Sequence, residues 1–317
     1  MVGRQRPRPA GPGHRLLGLL LGLSRWRRQS ALRAGASLWT QRGRIALRNR
    51  LALATAPDRA ANHRLLHPGR SPPGLSELPV LIVGDVHGDL ERLFTALKPY
   101  PPQEWRTIFL GDLVDGGPFG VGALRYARDR PNSTVLLGNH EVAMLRALRD
   151  PESIGGWLSV GGELHDLEEL RKDPTLQAWL LDRPALLMLD DGTIVEHSDN
   201  DGYWELAGSG DPKVVNATIR ELLAEPGREA ELWAALSPRS IFKRPGRLQR
   251  WLERTGAERV VHGHTPHSAA KPEVYGGGRA INFDGGLSRF GRPRYRRLAP
   301  VQASVGPLGA RGRGSLN

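Results

Sequence analysis

Three times between residues 79 and 141 an apolar, β-branched run closes on glycine and is followed at once by carboxylate, amide or imidazole groups. The stretches are VLIVGDVHGD at 80–89, TIFLGDLVDGG at 107–117 and TVLLGNHE at 134–141. Runs this short and this apolar read as buried strands, here 79–84, 106–110 and 133–137. The stretches 89–98, 120–129 and 141–149 between and after them have the spacing of amphipathic helices. Strand, loop and helix in alternation make a parallel sheet. Its polar loops line one edge, where open α/β sheets bind ligands.

The pattern continues beyond a break. Residues 151–182, charged and Leu-spaced, predict two short helices in a surface insertion, with His165 a solvated helix residue; a substrate-selecting cap is the competing expectation. Strands follow at 185–189 and at 193–196, the second ending at His197. A helical region is expected over 212–255, with Trp233 and Trp251 as core anchors. Further strands are expected at 258–261, ending in VHGHTP, at 279–283, ending in Asp284, and at 294–298.

Charge separates the ends from the body. The first 76 residues carry fifteen Arg against one acid, Asp58, a balance of +14, whereas 77–285 hold 23 basic and 32 acidic residues, or −9. The basic pI therefore belongs to the ends, and an acidic body argues against a nucleic-acid groove on the folded domain. Residues 1–78, acid-poor and broken by Pro and Gly, read as a disordered basic extension, 79–300 as the folded domain, and 301–317 as a disordered tail. The apolar LLGLLLGL at 16–23 is far shorter than the ~20 residues a bilayer span needs. The extension has features of a transit peptide, and Trp26 and Trp39 would suit an anionic membrane surface, but a solvated tail is expected over either and the cytoplasm is the default location. Cysteine is absent, so any metal must be held by His, Asp, Glu or Asn.

Those residue types collect at the strand ends: Asp85 and His87; Asp112 and Asp115; Asn139, His140 and Glu141; His197; His262 and His264. Each has an ordinary explanation alone, since Asp and Asn after glycine are turn formers. Five successive strand ends so equipped describe a centre for two divalent cations, assembled from successive loops.

The order GDVHGD, GDLVDGG, GNHE, a later His and GHTP resembles the calcineurin-like metallophosphoesterases, in particular their serine/threonine phosphoprotein phosphatase branch, over roughly residues 79–298. The resemblance implies an α/β fold in which two packed β-sheets are flanked by helices. It implies that Asp85, His87 and Asp112 hold one metal while Asp112, as bridge, with Asn139, His197 and His264 holds the other. His140 would be the general acid, oriented by Asp115, and a hydroxide shared by two metals would attack phosphorus without a phosphoenzyme. Manganese is the expected metal, with iron and zinc also admitted by these ligands. The implied substrates are phosphoserine and phosphothreonine in proteins. Small phosphoesters or dinucleoside polyphosphates are the alternative, for which Tyr203 and Trp204 could stack on a base. A non-catalytic metal-binding scaffold is the reading from another class.

Three positions depart from the pattern. Gly116 stands where the branch has an arginine, so a bidentate phosphate clamp is missing, and Arg239 or Arg92 is the candidate replacement. Ser198 and Asp199 follow His197 where glycine is usual. His267 lies one position beyond the second histidine of the GHxH pattern, which favours the phosphatase branch. His262 is either a support for the ligands or a strand-end residue.

Overall fold

A computed structural model of the protein describes residues 78–285, except 268 and 270, together with 305–307. The chain divides into two units, Met1–Ser71 and Pro72–Asn317, and the described residues all lie in the second. The basic extension with its apolar segment, and the strand expected at 294–298, fall outside the described residues.

The first sheet is built from β1 (Val80–Val83), β2 (Arg106–Phe109) and β3 (Ser133–Val135), parallel and in the order β3-β2-β1. Helices α1 (Leu90–Leu97) and α2 (Gly120–Asp129) make the crossovers, and α3 (Asn139–Arg149) follows β3. Val83 is level with Phe109, and Phe109 with Val135. The loops after all three strands therefore leave at one height. The second sheet has β5 (Thr193–Glu196), β6 (Arg259–His262) and β8 (Ala280–Asn282) parallel at its centre, with β4 (Leu186–Met188) and β7 (Glu273–Tyr275) antiparallel at its edges.

Successive strand residues point to opposite faces, and the two faces serve different layers. Ile82, Ile108, Leu110 and Leu136 meet Leu189, Val195, Val261 and Phe283 in an apolar layer between the sheets. Leu81, Val83, Phe109, Val135, Ile194 and Val260 belong instead to the larger cluster that includes the helices. Both layers are buried, so a one-residue register slip in any central strand would exchange them and lose the packing each is shaped for. Gly84 marks where the sheets converge: a Cβ there would lie 1.9 Å from the Phe283 carbonyl oxygen.

Several elements differ from expectation. Residues 151–182 form a 3₁₀ turn (Pro151–Ser153) and three helices, α4 (Ile154–Ser159), α5 (Leu164–Arg171) and α6 (Pro174–Leu181), rather than two. Asp173 caps the third, accepting from the Leu176 N–H, with Pro174 at its first position, a favourable helix start. An unforeseen helix α7 (Gly202–Ala207) precedes the 212–255 region, which resolves into α8 (Pro212–Ala224), α9 (Glu229–Leu236) and α10 (Arg247–Thr255). Trp251 is fully buried, but Trp233 is 37% exposed and anchors no core. Strand β7 was also unforeseen, and in the tail expected to lack structure Val305–Pro307 forms β9, antiparallel to β1. Among the described residues no helix is long and apolar enough to cross a membrane.

Candidate metal centre

The loop edge of the first sheet delivers Asp85, His87, Asp112, Asp115, Asn139 and His140, and the second sheet delivers His197 after β5 and His264 after β6. All eight are at least nine-tenths buried. His87, Asp112, Asp115 and His264 have left-handed backbone angles, with φ of 49°, 50°, 64° and 63°. For residues with a Cβ this conformation costs roughly 1–2 kcal/mol each. Such strain persists where surrounding contacts over-determine it, and it clusters at functional sites.

Hydrogen bonds to carbonyls fix the histidine tautomers, because a carbonyl oxygen can only accept. His87 Nδ1 faces the Val114 carbonyl at 3.2 Å, His197 Nδ1 the Leu110 carbonyl at 2.9 Å, and His264 Nε2 the Ser237 carbonyl at 2.8 Å. Each ring therefore turns its other nitrogen, bearing a lone pair, toward Asp112. The separations are 3.9 Å from His87 Nε2 to Asp112 Oδ2, 3.4 Å from His197 Nε2 to Oδ1, and 3.9 Å from His264 Nδ1 to Oδ2. Asp85 Oδ2 is 3.8 Å from His87 Nε2. Oriented imidazoles whose outer N–H is tied to a carbonyl are the arrangement of metal ligands.

Divalent cations fit this donor set. Asp112 Oδ2 and His264 Nδ1 are buried without a hydrogen-bond partner, although burying unpaired polar atoms is costly. The Asn139 Oδ1 atom lies 3.0 Å from the lone pair of His197 Nε2, two acceptors that a cation would reconcile. Ligand atoms that surround one ion at about 2.0–2.2 Å stand roughly 3–4 Å from one another. Two groups approach this compactness, with one ligand atom from each residue lying within 4.8 Å of the others: Asp85, Asp112, His197 and His264, and separately His87, Asp112 and His140. Asp112 belongs to both, as a bridging ligand must. The first group joins Asp85 to His197 and His264, although Asp85 Oδ2 also lies 3.8 Å from His87 Nε2, and the second sets His140 beside His87.

Protonation separates the ligand histidines from His140. Burial, with the charge of His140, pulls His87 down to about 4, and burial against the opposing pull of Asp112 leaves His197 at about 3. Both are neutral, as ligands require. Burial would also lower His140, but Asp112, the hydrogen bond and charge of Asp115, and Glu141 outweigh it and hold the ring up at about 9. His140 Nδ1 meets Asp115 Oδ2 at 2.8 Å, and its Nε2 faces Asp112 Oδ2 at 3.9 Å. A cationic imidazole makes a proton donor and a poor ligand. Burial also lifts Asp85 well above the usual range, reinforced by Asp284 and Asp112, and the His264 backbone N–H donates to its Oδ1 at 2.9 Å.

Glu141 does not face the ligands. Its carboxylate accepts four backbone N–H groups: Asp112 and Gly138 on Oε2 at 2.8 and 2.9 Å, Leu113 and Val114 on Oε1 at 2.6 and 3.3 Å. It pins the second loop to the start of α3. His262 turns away as well, its Nε2 bonded to the Tyr275 hydroxyl at 2.8 Å. Asp199, one of the departures, accepts from the Thr265 hydroxyl and the Ser240 N–H through Oδ1 at 2.6 and 3.0 Å, joining the GHTP loop to the segment after α9. That segment carries Arg239, whose Nε donates to the His264 carbonyl at 2.8 Å and whose charge lowers Asp85. Arg92 instead pairs with Asp89 at the start of α1, 3.4 Å away. Tyr203 is buried and stacked near Trp251, and Trp204 is covered by the Arg254 guanidinium.

The insertion, exposed at Leu158, Val160 and Leu164 as a surface segment is, is also tied to the second loop. His165 Nε2 donates to the Pro118 carbonyl, the Asp166 carboxylate accepts from the Gly120 and Val121 N–H groups, and the Gly116 N–H reaches the Gly161 carbonyl at 2.8 Å. Trp157, 3% exposed, donates its indole N–H to Asp115 Oδ1 at 2.9 Å. Sequence reasoning missed Trp157. The available signal was a large aromatic in a Gly-rich segment, which must bury its ring and find an acceptor for its N–H.

The family profile described as calcineurin-like phosphoesterase matches residues 78–268. A symmetrical bis(5'-nucleosyl)-tetraphosphatase of Stutzerimonas stutzeri (strain A1501) is 35% identical over 105 residues, covering 32% of this chain and 32% of that protein. Serine/threonine-protein phosphatase 1 of Salmonella typhimurium (strain LT2) is 36% identical over 86 residues, 26% of this chain and 39% of that protein. The matches thus span under two-fifths of these relatives. A cold-active protein-tyrosine phosphatase of a psychrophilic Shewanella species shares the fold, with a TM-score of 0.50 and 18% identity over 68% of this chain and 73% of that one.

Proposed function

Because the chain belongs to the calcineurin-like phosphoesterase family, we propose that it is a metal-dependent phosphomonoesterase acting on phosphoserine and phosphothreonine in proteins. The observation that carries this reading is the 2.8 Å pairing of His140 with Asp115 beside a buried cluster of histidines and carboxylates around Asp112. The cluster suits divalent cations, and the adjacent carboxylate-held imidazole suits protonation of a leaving alkoxide. In this reading Asp85, His87, Asp112, Asn139, His197 and His264 hold two ions, manganese being the proposed metal. When bound, the ions withdraw charge from the phosphoryl oxygens and acidify the attacking water.

The chain's own groups do the rest. Arg239, beside the His264 carbonyl, neutralises the phosphate in place of the arginine absent at Gly116. As the P–O bond to the leaving group breaks, His140 Nε2 gives its proton to the departing oxygen, and Asp115 holds the imidazole in line. Protein substrates are preferred over dinucleoside polyphosphates because Tyr203 and Trp204 are committed to packing and offer no platform for a base. The test is hydrolysis of an aryl phosphate, a phosphothreonine peptide and diadenosine tetraphosphate, with and without manganese, beside an Asp85→Asn control. Metal-dependent turnover of the first two, lost in the control, is the expected result. Turnover of the tetraphosphate alone would transfer the assignment to nucleotide substrates, and no turnover by metal-loaded protein would favour the scaffold.

A further inference from the structure

We propose that Trp157, on the insertion, is a positioning residue for proton delivery: its indole N–H sets the orientation of Asp115 and, through it, of His140. The inference rests on the phosphomonoesterase reading. Asp115 divides its two oxygens between two partners, Oδ1 accepting from Trp157 at 2.9 Å and Oδ2 facing His140 Nδ1 at 2.8 Å. With one oxygen held by a buried indole, the carboxylate plane is fixed and the other oxygen is aimed at the imidazole. Asp115 sits at a left-handed φ of 64° in a loop whose next residue is glycine, so its side-chain direction depends on contacts from outside the loop. The insertion supplies the frame. The Gly116 N–H bonds the Gly161 carbonyl, and the Gly162 N–H bonds the Trp157 carbonyl at 3.1 Å. Gly162 also leaves room for the ring, since a Cβ there would lie 2.3 Å from indole carbons.

The chemistry of the leaving group separates this role from a structural one. An alkoxide expelled from phosphoserine or phosphothreonine must be protonated as the P–O bond breaks, whereas dinitrophenolate leaves without a proton. General-acid catalysis contributes about 10²–10⁴-fold, so Trp157→Phe, which keeps an aromatic ring and removes the donor, is expected to lower kcat for a phosphothreonine peptide by about tenfold or more. Turnover of dinitrophenyl phosphate should change by less than about twofold, and KM for both should hold, because the substrate-binding groups are untouched. Gly162→Ala, which displaces the ring without altering it, should give the same selective loss. In an Asp115→Asn background Trp157→Phe should have no further effect.

Equal loss on both substrates, or no loss on either, overturns the proposal, as does full additivity with Asp115→Asn. Should the Phe variant fail to fold, benzothienylalanine at 157 preserves the bicyclic shape and removes only the N–H, and the same comparison decides. Wild-type protein inert toward every phosphate ester would sink the phosphomonoesterase reading and this inference with it. An active wild type with an unselective variant would sink this inference alone.

Discussion

Replacing Glu141 by glutamine exchanges one carboxylate oxygen for an amide NH₂ in a buried pocket that contains only donors. Each oxygen accepts two backbone N–H groups, at 2.8 and 2.9 Å on Oε2 and at 2.6 and 3.3 Å on Oε1. Whichever way the amide turns, two N–H donors lose their acceptor and face a third donor. Hydrogen bonds to charged groups are worth about 1.5–3 kcal/mol each, so two lost bonds cost roughly 3–6 kcal/mol. Removing a buried negative charge beside Asp112 returns part of this, leaving an expected destabilisation of about 2–4 kcal/mol. With a urea m-value of about 1–3 kcal/mol/M, the Glu141→Gln unfolding midpoint should fall by on the order of 1–2 M at pH 8. The fall should appear in metal-free and metal-loaded protein alike. A midpoint within about 0.3 M of wild type would refute the four-bond reasoning. Normal metal-free stability with reduced metal content would show that Glu141 is a ligand after all.

Four further outcomes are expected. Manganese at about 100 times its dissociation constant should stabilise the protein by roughly 2.7 kcal/mol, read as a rise in Tm, and Asp112→Asn, which removes the shared carboxylate, should abolish that rise; an unchanged rise would place the ions elsewhere. Arg239→Ala should cut kcat/KM for phosphate esters by about ten- to a hundredfold, the worth of one charge-assisted contact, and an unaffected variant would remove Arg239 from the site. Gly116→Arg should not restore a family clamp at no cost, because φ is +75° there, and thermal unfolding should show a loss of about 1–2 kcal/mol. Burial, against hydrogen bonds from Val121 and Gly120, raises Asp166 to about 6 from a model-peptide value of 3.8. Because the folded value is the higher one, its contribution to stability is complete below about pH 4 and lost as pH rises through about 6, at most ~3 kcal/mol. Asp166→Asn does not titrate and should gain stability relative to wild type across that window; a pH-independent difference in urea midpoints would contradict this.

What could be read from the sequence follows how far each signal reaches along the chain. The strand-end groups were legible because a short continuous apolar run, a closing glycine and a polar residue are neighbours, and parallel strands in register must bring such ends together. Trp251 was legible for a similar reason: Leu248, Trp251 and Leu252 make a stripe on an otherwise charged helix, and all three are buried. Trp233 was not, since EAELWAAL is apolar on several sides and its pattern does not say which side faces in. Glu141 was ambiguous by its position, because a carboxylate in the first turn of a helix serves as well to accept backbone N–H groups as to bind metal. The burial of Trp157 had a signal, but its partner was beyond reach because the acceptor lies 42 residues away with no periodicity to connect them. The supports missed or left ambiguous nevertheless act on one segment. Residues 111, 112, 115 and 116 all have positive φ, and Asp112 and Asp115 bear that strain with side chains attached. Strain of this kind survives only where contacts from outside the loop exceed its cost. Glu141 takes the N–H groups of Asp112, Leu113 and Val114, while Trp157 and Gly161 take Asp115 and Gly116. The motif that identifies the loop therefore states which groups are presented, and the brace from α3 and the insertion is the physical condition for presenting them.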